Sequence, residues 1–244
     1  MFEEIDRLKQ RLDKLRPLDP LVVKNQLDDL ILRWTYHSNA IEGNTLTLLE
    51  TKVVLENGIT IGGKTLREHF EAINHREAIL YLLDIIQKKE PFSEWQIRSI
   101  HQLILKNIDD GQAGRYRNIN VTISGASHIP PDHTLLVDKM SQLVDWYHTK
   151  ANDLHPIERA AKIHADFVGI HPFIDGNGRT SRLLMNLELM KAGYLPCIIT
   201  VESRLGYYQA LDDWMTKKET TAFVQLIANA ELEALKQYQR LLGF

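Results

Sequence analysis

The chain has 244 residues, with 29 basic side chains against 32 acidic ones and a net charge of −3. That balance does not call for a nucleic-acid backbone or an anionic membrane as a partner. The single cysteine, Cys197, excludes an internal disulfide and a cysteine metal cluster, and it fits a reducing compartment.

Helical periodicity dominates. Residues 2–15 read as an amphipathic helix with Phe2, Ile5, Leu8, Leu12 and Leu15 on one side, closed by Pro17 and Pro20. A charged start of this kind is not a signal peptide, and no later stretch reaches the ~18 apolar residues of a membrane span, so a cytoplasmic protein is expected. Helices follow over about 21–42, stopped by Gly43, then 47–57, 65–89 and 93–107. The basic residues Lys64, Arg67, His69, His75 and Arg76 alternate with Glu68, Glu71 and Glu77, which suggests a solvated helix face. From Asn120 to Pro131 the pattern changes. Val121, Thr122 and Ile123 precede a Ser-Gly turn and two prolines, the signal of a β-hairpin. Helices resume over about 134–149, 155–169, 178–192, 203–216 and 219–241. The expected fold is mainly α with one projecting hairpin, residues 1–60 forming an N-terminal helical extension on a core of 61–244.

One segment carries chemistry: HPFIDGNGRTSR, His171 to Arg182. Gly176, Asn177 and Gly178 permit backbone angles that turn N–H groups inward as an anion nest. The next helix begins there, adding unpaired donors and partial positive charge. Arg179 and Arg182 lie three residues apart at its start, where cations are unfavourable unless an anion is expected. Asp175 beside a phosphate site makes sense with Mg²⁺ between them, and His171 suits a general base. Phe173 reads as an apolar pin. No P-loop or dinucleotide fingerprint is present, and His155, His164 and His171 match no compact zinc motif.

The segment resembles the Fic motif, H-x-F-x-[DE]-G-N-G-R-x-x-R, at every defined position. The likeness extends over roughly residues 65–230, including the hairpin, which the family uses as a flap to guide a target segment. It implies a Fic-type helical bundle that transfers AMP from ATP to a Ser, Thr or Tyr hydroxyl of a protein. By the same resemblance, His171 deprotonates the hydroxyl and Asp175 holds Mg²⁺. Gly176, Asn177 and Gly178 form the anion hole, and Arg179 and Arg182 hold the outer phosphates. Val121, Thr122 and Ile123 pair with the target. Tyr207 and Tyr208 stand where the family often places aromatics against the base. Met215 replaces an asparagine common in the family, which leaves base selectivity open. Gly178 argues against the Doc-type kinases, which carry lysine there.

Ser38-Asn39-Ala40-Ile41-Glu42-Gly43 resembles the family's inhibitory motif, [ST]-x-x-x-E-[GN]. It implies that Glu42 pairs with Arg182 and keeps the nucleotide from docking productively. A carboxylate at a helix C-terminus is poorly placed and seeks a cation. Family members also pair through helical surfaces, so a homodimer is an expectation. Two other functions stay open on sequence: an enzyme that mainly removes AMP, and a nucleotide-binding regulatory or toxin–antitoxin module with little turnover.

Overall fold

The computed structural model describes residues 2–243, with Val22 described by its backbone alone. Met1 and Phe244, the outer ends of the two predicted segments, lie outside it. Among the described residues the chain forms ten α-helices: α1 (Glu3–Asp13), α2 (Pro20–Ile41), α3 (Leu48–Asn57), α4 (Leu66–Lys88), α5 (Glu94–Leu105), α6 (Leu136–Thr149), α7 (Pro156–Ile170), α8 (Asn177–Lys191), α9 (Arg204–Lys217) and α10 (Thr221–Leu242). Local chemistry sets their starts. Capping boxes open α3 (Thr47 with Glu50) and α4 (Thr65 with Glu68). The Ser93 hydroxyl caps α5, and Pro156 occupies the first turn of α7.

The helix that matters most for the site is α8. It packs against α2, α4, α5 and α7 and is buried along most of its length. A helix in that position is usually apolar all round. This one carries Arg179, Arg182, Asn186 and Glu188 into the interior. Deep polar groups need partners, and the far end of α8 has them. Asn186 exchanges two hydrogen bonds of 2.9 Å with the backbone of Cys197. Glu188 accepts from the Tyr147 hydroxyl at 2.7 Å and pairs with Arg159.

Two apolar clusters flank this helix. One gathers Leu8 and Leu12 of α1, Ile41 of α2, Met185, Phe223 and Ile227. The other gathers Ile31 and Trp34 of α2, Ile79, Leu82, Ile97, Phe167, Phe173 and Leu183. Each such side chain contributes about 1.5–3 kcal/mol on burial. Residues from the N-terminal extension therefore sit in both clusters, and the end of α2 is held against the start of α8.

The predicted hairpin departs from expectation: among the described residues there is no β-strand. A turn does form, with Ala126 N–H donating to Ile123 O at 3.2 Å. The returning arm cannot build a ladder. The N–H groups of Ser127 and His128 both donate to Asp212 Oδ1 on α9, at 2.9 and 3.0 Å, and Pro130 and Pro131 have none to give. The result is a loop pinned by side chains. Its outgoing arm stays open, because no backbone–backbone hydrogen bond reaches Val121 or Thr122.

Four titratable groups are sealed among these elements. His75, His101 and His164 are fully buried, and burial lowers His101 to about 4 and the other two well below the ordinary imidazole value. Burial drives Glu231 the other way, well above the ordinary carboxylate value. The unfolded chain takes up histidine protons below about pH 6.5 that the native state refuses, so this contribution to stability falls as pH falls. Glu231 has the opposite sign, its contribution being lost as pH rises above its unfolded value of about 4.3. These three histidines, joined by His171, which burial lowers to about 4, oppose one carboxyl, each worth about 1.4 kcal/mol per pH unit. The unfolding free energy in urea should therefore be lower at about pH 5 than at about pH 7. An equal or higher value at the acid end would mean that these histidines are not held neutral.

Candidate active site

The loop that joins α7 to α8 is built by constraint rather than by propensity. α7 stops because His171 turns left-handed (φ 49°, ψ 58°), with its N–H on Phe167 O at 3.1 Å. That conformation costs a non-glycine residue about 1 kcal/mol or more, so the surroundings must impose it. Arg117, almost fully buried, does so from one side. Its Nε donates to His171 O at 2.9 Å and its backbone N–H to Pro172 O at 2.9 Å. Its two terminal nitrogens donate to Ile119 O and Pro131 O, at 2.7 and 2.6 Å, so the same side chain ties the loop to the base of the flap.

His101 imposes it from the other side. Phe173, the predicted pin, is fully buried and stacks flat on the His101 ring at 3.5 Å. His101 Nδ1 accepts from Gly114 N–H at 2.9 Å, which leaves Nε2 to donate to Asp175 O at 2.8 Å. Asn177 also works inside the loop. Its amide bonds both Phe173 N and Phe173 O, at 3.0 and 2.8 Å, so its side chain is not free to face a ligand.

These anchors leave a concentrated set of donors. Gly176 lies in the left-handed region (φ 77°), and its N–H closes on Asp175 Oδ1 at 2.6 Å. Among the described residues, the N–H groups of Asn177, Gly178 and Arg179 have no acceptor. Three unpaired donors at a helix N-terminus make an anion site. The buried Arg182 stands beside them. Its Nε donates to Ser38 Oγ at 3.0 Å, Nη2 to Ser38 O at 2.8 Å and to Glu42 Oε1 at 2.7 Å, and Nη1 to the Tyr207 hydroxyl at 3.2 Å. Glu42 lies against Gly178 as well, since a Cβ on Gly178 would run into its Oε1. Ser38, Glu42, Gly178 and Arg182 are thus brought together as the two motifs anticipate.

Two expectations need correction. Tyr207 is not a platform open to a base. Its ring is fully buried, and its hydroxyl, besides receiving Arg182, lies 3.0 Å from His164 Nε2. It supports Arg182. Tyr208 is the more open ring, 39% exposed, and its hydroxyl donates to Ile41 O at the end of α2 at 3.1 Å. Met215 leans on Gly169, just before His171, where an added Cβ would meet its sulfur at 3.1 Å.

The α4 surface is not simply solvated either. His75 and Glu71 turn inward, and Arg67 reaches across to the motif. Arg67 Nη2 forms a short ion pair with Asp175 Oδ2 while its Nε bonds Glu71 Oε1 at 3.1 Å. The buried Arg179 closes the ring, with Glu71 Oε1 at 3.2 Å and Asp175 Oδ1 at 3.3 Å. Burial works against the Asp175 charge, but Arg179, the Gly176 N–H and Arg67 outweigh it and hold the carboxyl below its ordinary value. The i,i+4 spacing of Arg67 and Glu71 was visible in the sequence; their link to Asp175 was not. Arg117 and His101 carried no signal in the sequence.

His171 completes the site. Burial pushes its imidazole down to about 4, so it is neutral and able to accept a proton at physiological pH.

The comparisons with known proteins agree with this geometry. The Fic/DOC family model matches residues 91–189. The chain is 38% identical over 240 residues to a protein adenylyltransferase Fic of Nematostella vectensis, covering 97% of this chain and 56% of that one. It is 34% identical to protein adenylyltransferase fic-1 of Caenorhabditis elegans, 46% of which it covers, so it spans about half the length of the curated relatives it matches. The solved structure of C. elegans Fic-1 (residues 134–508) superposes with a TM-score of 0.89 at 31% identity, covering 99% of this chain and 72% of that one. A Fic-domain-containing signaling protein of Bacteroides thetaiotaomicron superposes with a TM-score of 0.88 at 31% identity, covering 96% of this chain and 94% of that one. On sequence, fold and motif alike, the chain belongs to the Fic family.

Proposed function

We propose that the protein is an adenylyltransferase that moves AMP from ATP to a hydroxyl of a protein target, and that Glu42 holds it back. The observation that carries this reading is the set of free N–H groups on Asn177, Gly178 and Arg179, flanked by Arg182 and by a neutral His171. Relatives named protein adenylyltransferases support it. The target oxygen attacks the α-phosphorus, an O–P bond forms, and the bond to the β-phosphate breaks. Pyrophosphate leaves, and the hydroxyl proton passes to the His171 imidazole. The N–H groups and Arg182 hold the phosphates, while Arg179, turned toward Asp175 and Glu71, orients that carboxylate. Val121 and Thr122 offer the target an unpaired backbone edge, which ends at Ile123, where the turn begins.

Asp175 also fits a metal ligand. Its carboxylate is partly open, beside the unpaired N–H groups. That suits Mg²⁺, which takes one or two carboxylates from a protein and completes its shell with phosphate and water. When bound there, it would neutralise charge on the phosphates.

In the resting state Glu42 competes with phosphate for Arg182 and for the front of the helix N-terminus. One charge-assisted pair is worth about 1.5–3 kcal/mol, so Glu42→Gly should raise protein labelling from radiolabelled ATP by roughly ten- to a hundredfold. Labelling no better than wild type, on the protein itself or in a lysate, removes the brake assignment. His171→Ala should abolish labelling in the Glu42→Gly background while ATP affinity by calorimetry stays close to the parent. Retained transfer would remove His171 as the base.

A further inference from the structure

Asp175 is already neutralised by a cation of the chain's own. Two guanidiniums contact it, and they differ in freedom. Arg179 is held in the interior, its side chain 2% exposed, whereas the Arg67 side chain is 55% exposed. Arg67 takes the outer oxygen, Oδ2, and leaves Oδ1 to the Gly176 N–H and Arg179. The open coordination position of the carboxylate is therefore the one Arg67 fills. Glu71 gives Arg67 a place to stay when it lets go, because the Nε–Oε1 bond of 3.1 Å does not involve Asp175. Glu71 itself is fixed, 11% exposed in its side chain, with Oε2 accepting from the Asn44 amide at 2.9 Å.

We propose that Arg67 is a stand-in for the divalent cation: paired with Asp175, it competes with the metal for Oδ2, and so sets how strongly nucleotide binding depends on metal. The inference rests on Asp175 being the metal ligand. It assigns a role to a residue outside both sequence motifs, one that acts on the metal position rather than on the phosphate position held by Glu42. A guanidinium serves this purpose because it forms a close pair with the carboxylate yet offers no acceptor or phosphate-bridging shell in place of a metal. Losing it leaves Asp175 charged and uncovered, with Arg179 still orienting it.

The test measures binding, not turnover. The affinity of the full chain for α,β-methylene-ATP, which cannot release pyrophosphate, is measured by calorimetry in saturating Mg²⁺ and in excess EDTA. All proteins carry Glu42→Gly so that the acid does not mask the effect. The readout is the ratio of the two affinities. Arg67→Ala and Arg67→Gln should each raise that ratio by roughly three- to tenfold, as expected for removing a half-exposed competing ion pair. An unchanged ratio, including a loss of affinity equal in both media, overturns the proposal, since Arg67 would then be a phosphate contact or inert. Asp175→Asn separates this from the reading beneath it. If that variant brings the ratio close to one while the Arg67 variants leave it unmoved, only the Arg67 inference fails. If Asp175→Asn leaves the ratio at its parent value, Asp175 does not hold the metal, and both readings fail.

Discussion

A guanidinium sealed from water organises the active region. Arg182 is 2% exposed, and a charge in that position is tolerable only with close partners on most of its donors. It finds them in three residues from two segments distant in sequence: Ser38 and Glu42 from the end of α2, and Tyr207 from α9. The N-terminal extension is therefore no loose appendage. Its second helix supplies an acceptor set without which a core residue of α8 would be a buried, unpaired charge. Removing one partner of such a pair commonly costs more than the pair contributes. Four of these contacts are not equivalent, though. Ser38 is fully buried and supplies two acceptors, while the Glu42 side chain is 32% exposed and supplies one. Two of the four contacts to Arg182, those from Ser38, therefore do not depend on the glutamate.

The loop before α8 shows a second constraint, that of getting an unpaired helix N-terminus to persist. Helix starts normally satisfy their first donors with a capping side chain. α3, α4 and α5 all do so, through Thr47, Thr65 and Ser93. α8 begins at Gly176 with no side-chain cap, and the one residue that could have helped, Asn177, turns its amide back on Phe173. Stability lost there is recovered behind the loop, by Phe173 stacked on His101 and by the four donors of Arg117. The donors stay free because rigid packing, not a cap, fixes the backbone.

Much of this was legible from the sequence. The helices follow from their 3.6-residue periodicity, with stops at glycine and proline; the His171–Arg182 segment announced itself by residue type and spacing, and Ser38–Glu42 by its resemblance to the family's inhibitory motif. What escaped depends on three-dimensional proximity. Tyr207 and Tyr208 were both expected at the base because the family often places aromatics there; only packing decides which of two adjacent rings on a helix faces inward. The flap looked like a hairpin because Val121–Ile123 favour strands, but a distant aspartate, Asp212, captures the donors the returning arm would need. Arg67 and Glu71 looked like a solvated pair, and nothing in an i,i+4 spacing says that the arginine also reaches a loop 108 residues away.

The charges of the site balance among its own side chains. Arg67, Arg179 and Arg182 face Glu42, Glu71 and Asp175, three positive groups against three negative. This arrangement explains how so many charges sit close together, several of them out of water, without a ligand to neutralise them. It also dictates what a ligand must bring. A polyphosphate alone would add negative charge to a neutral cluster and meet Glu42 at the position it needs; a metal alone would meet Arg67. On the proposed reading, an anion and a cation arriving together would exchange like for like, the phosphate for the Glu42 carboxylate and the metal for the Arg67 guanidinium, with Arg179, Arg182 and Glu71 left in the contacts they make now. The two residues asked to move, Glu42 and Arg67, are among the more exposed members of the cluster, and the three that stay are the more buried ones.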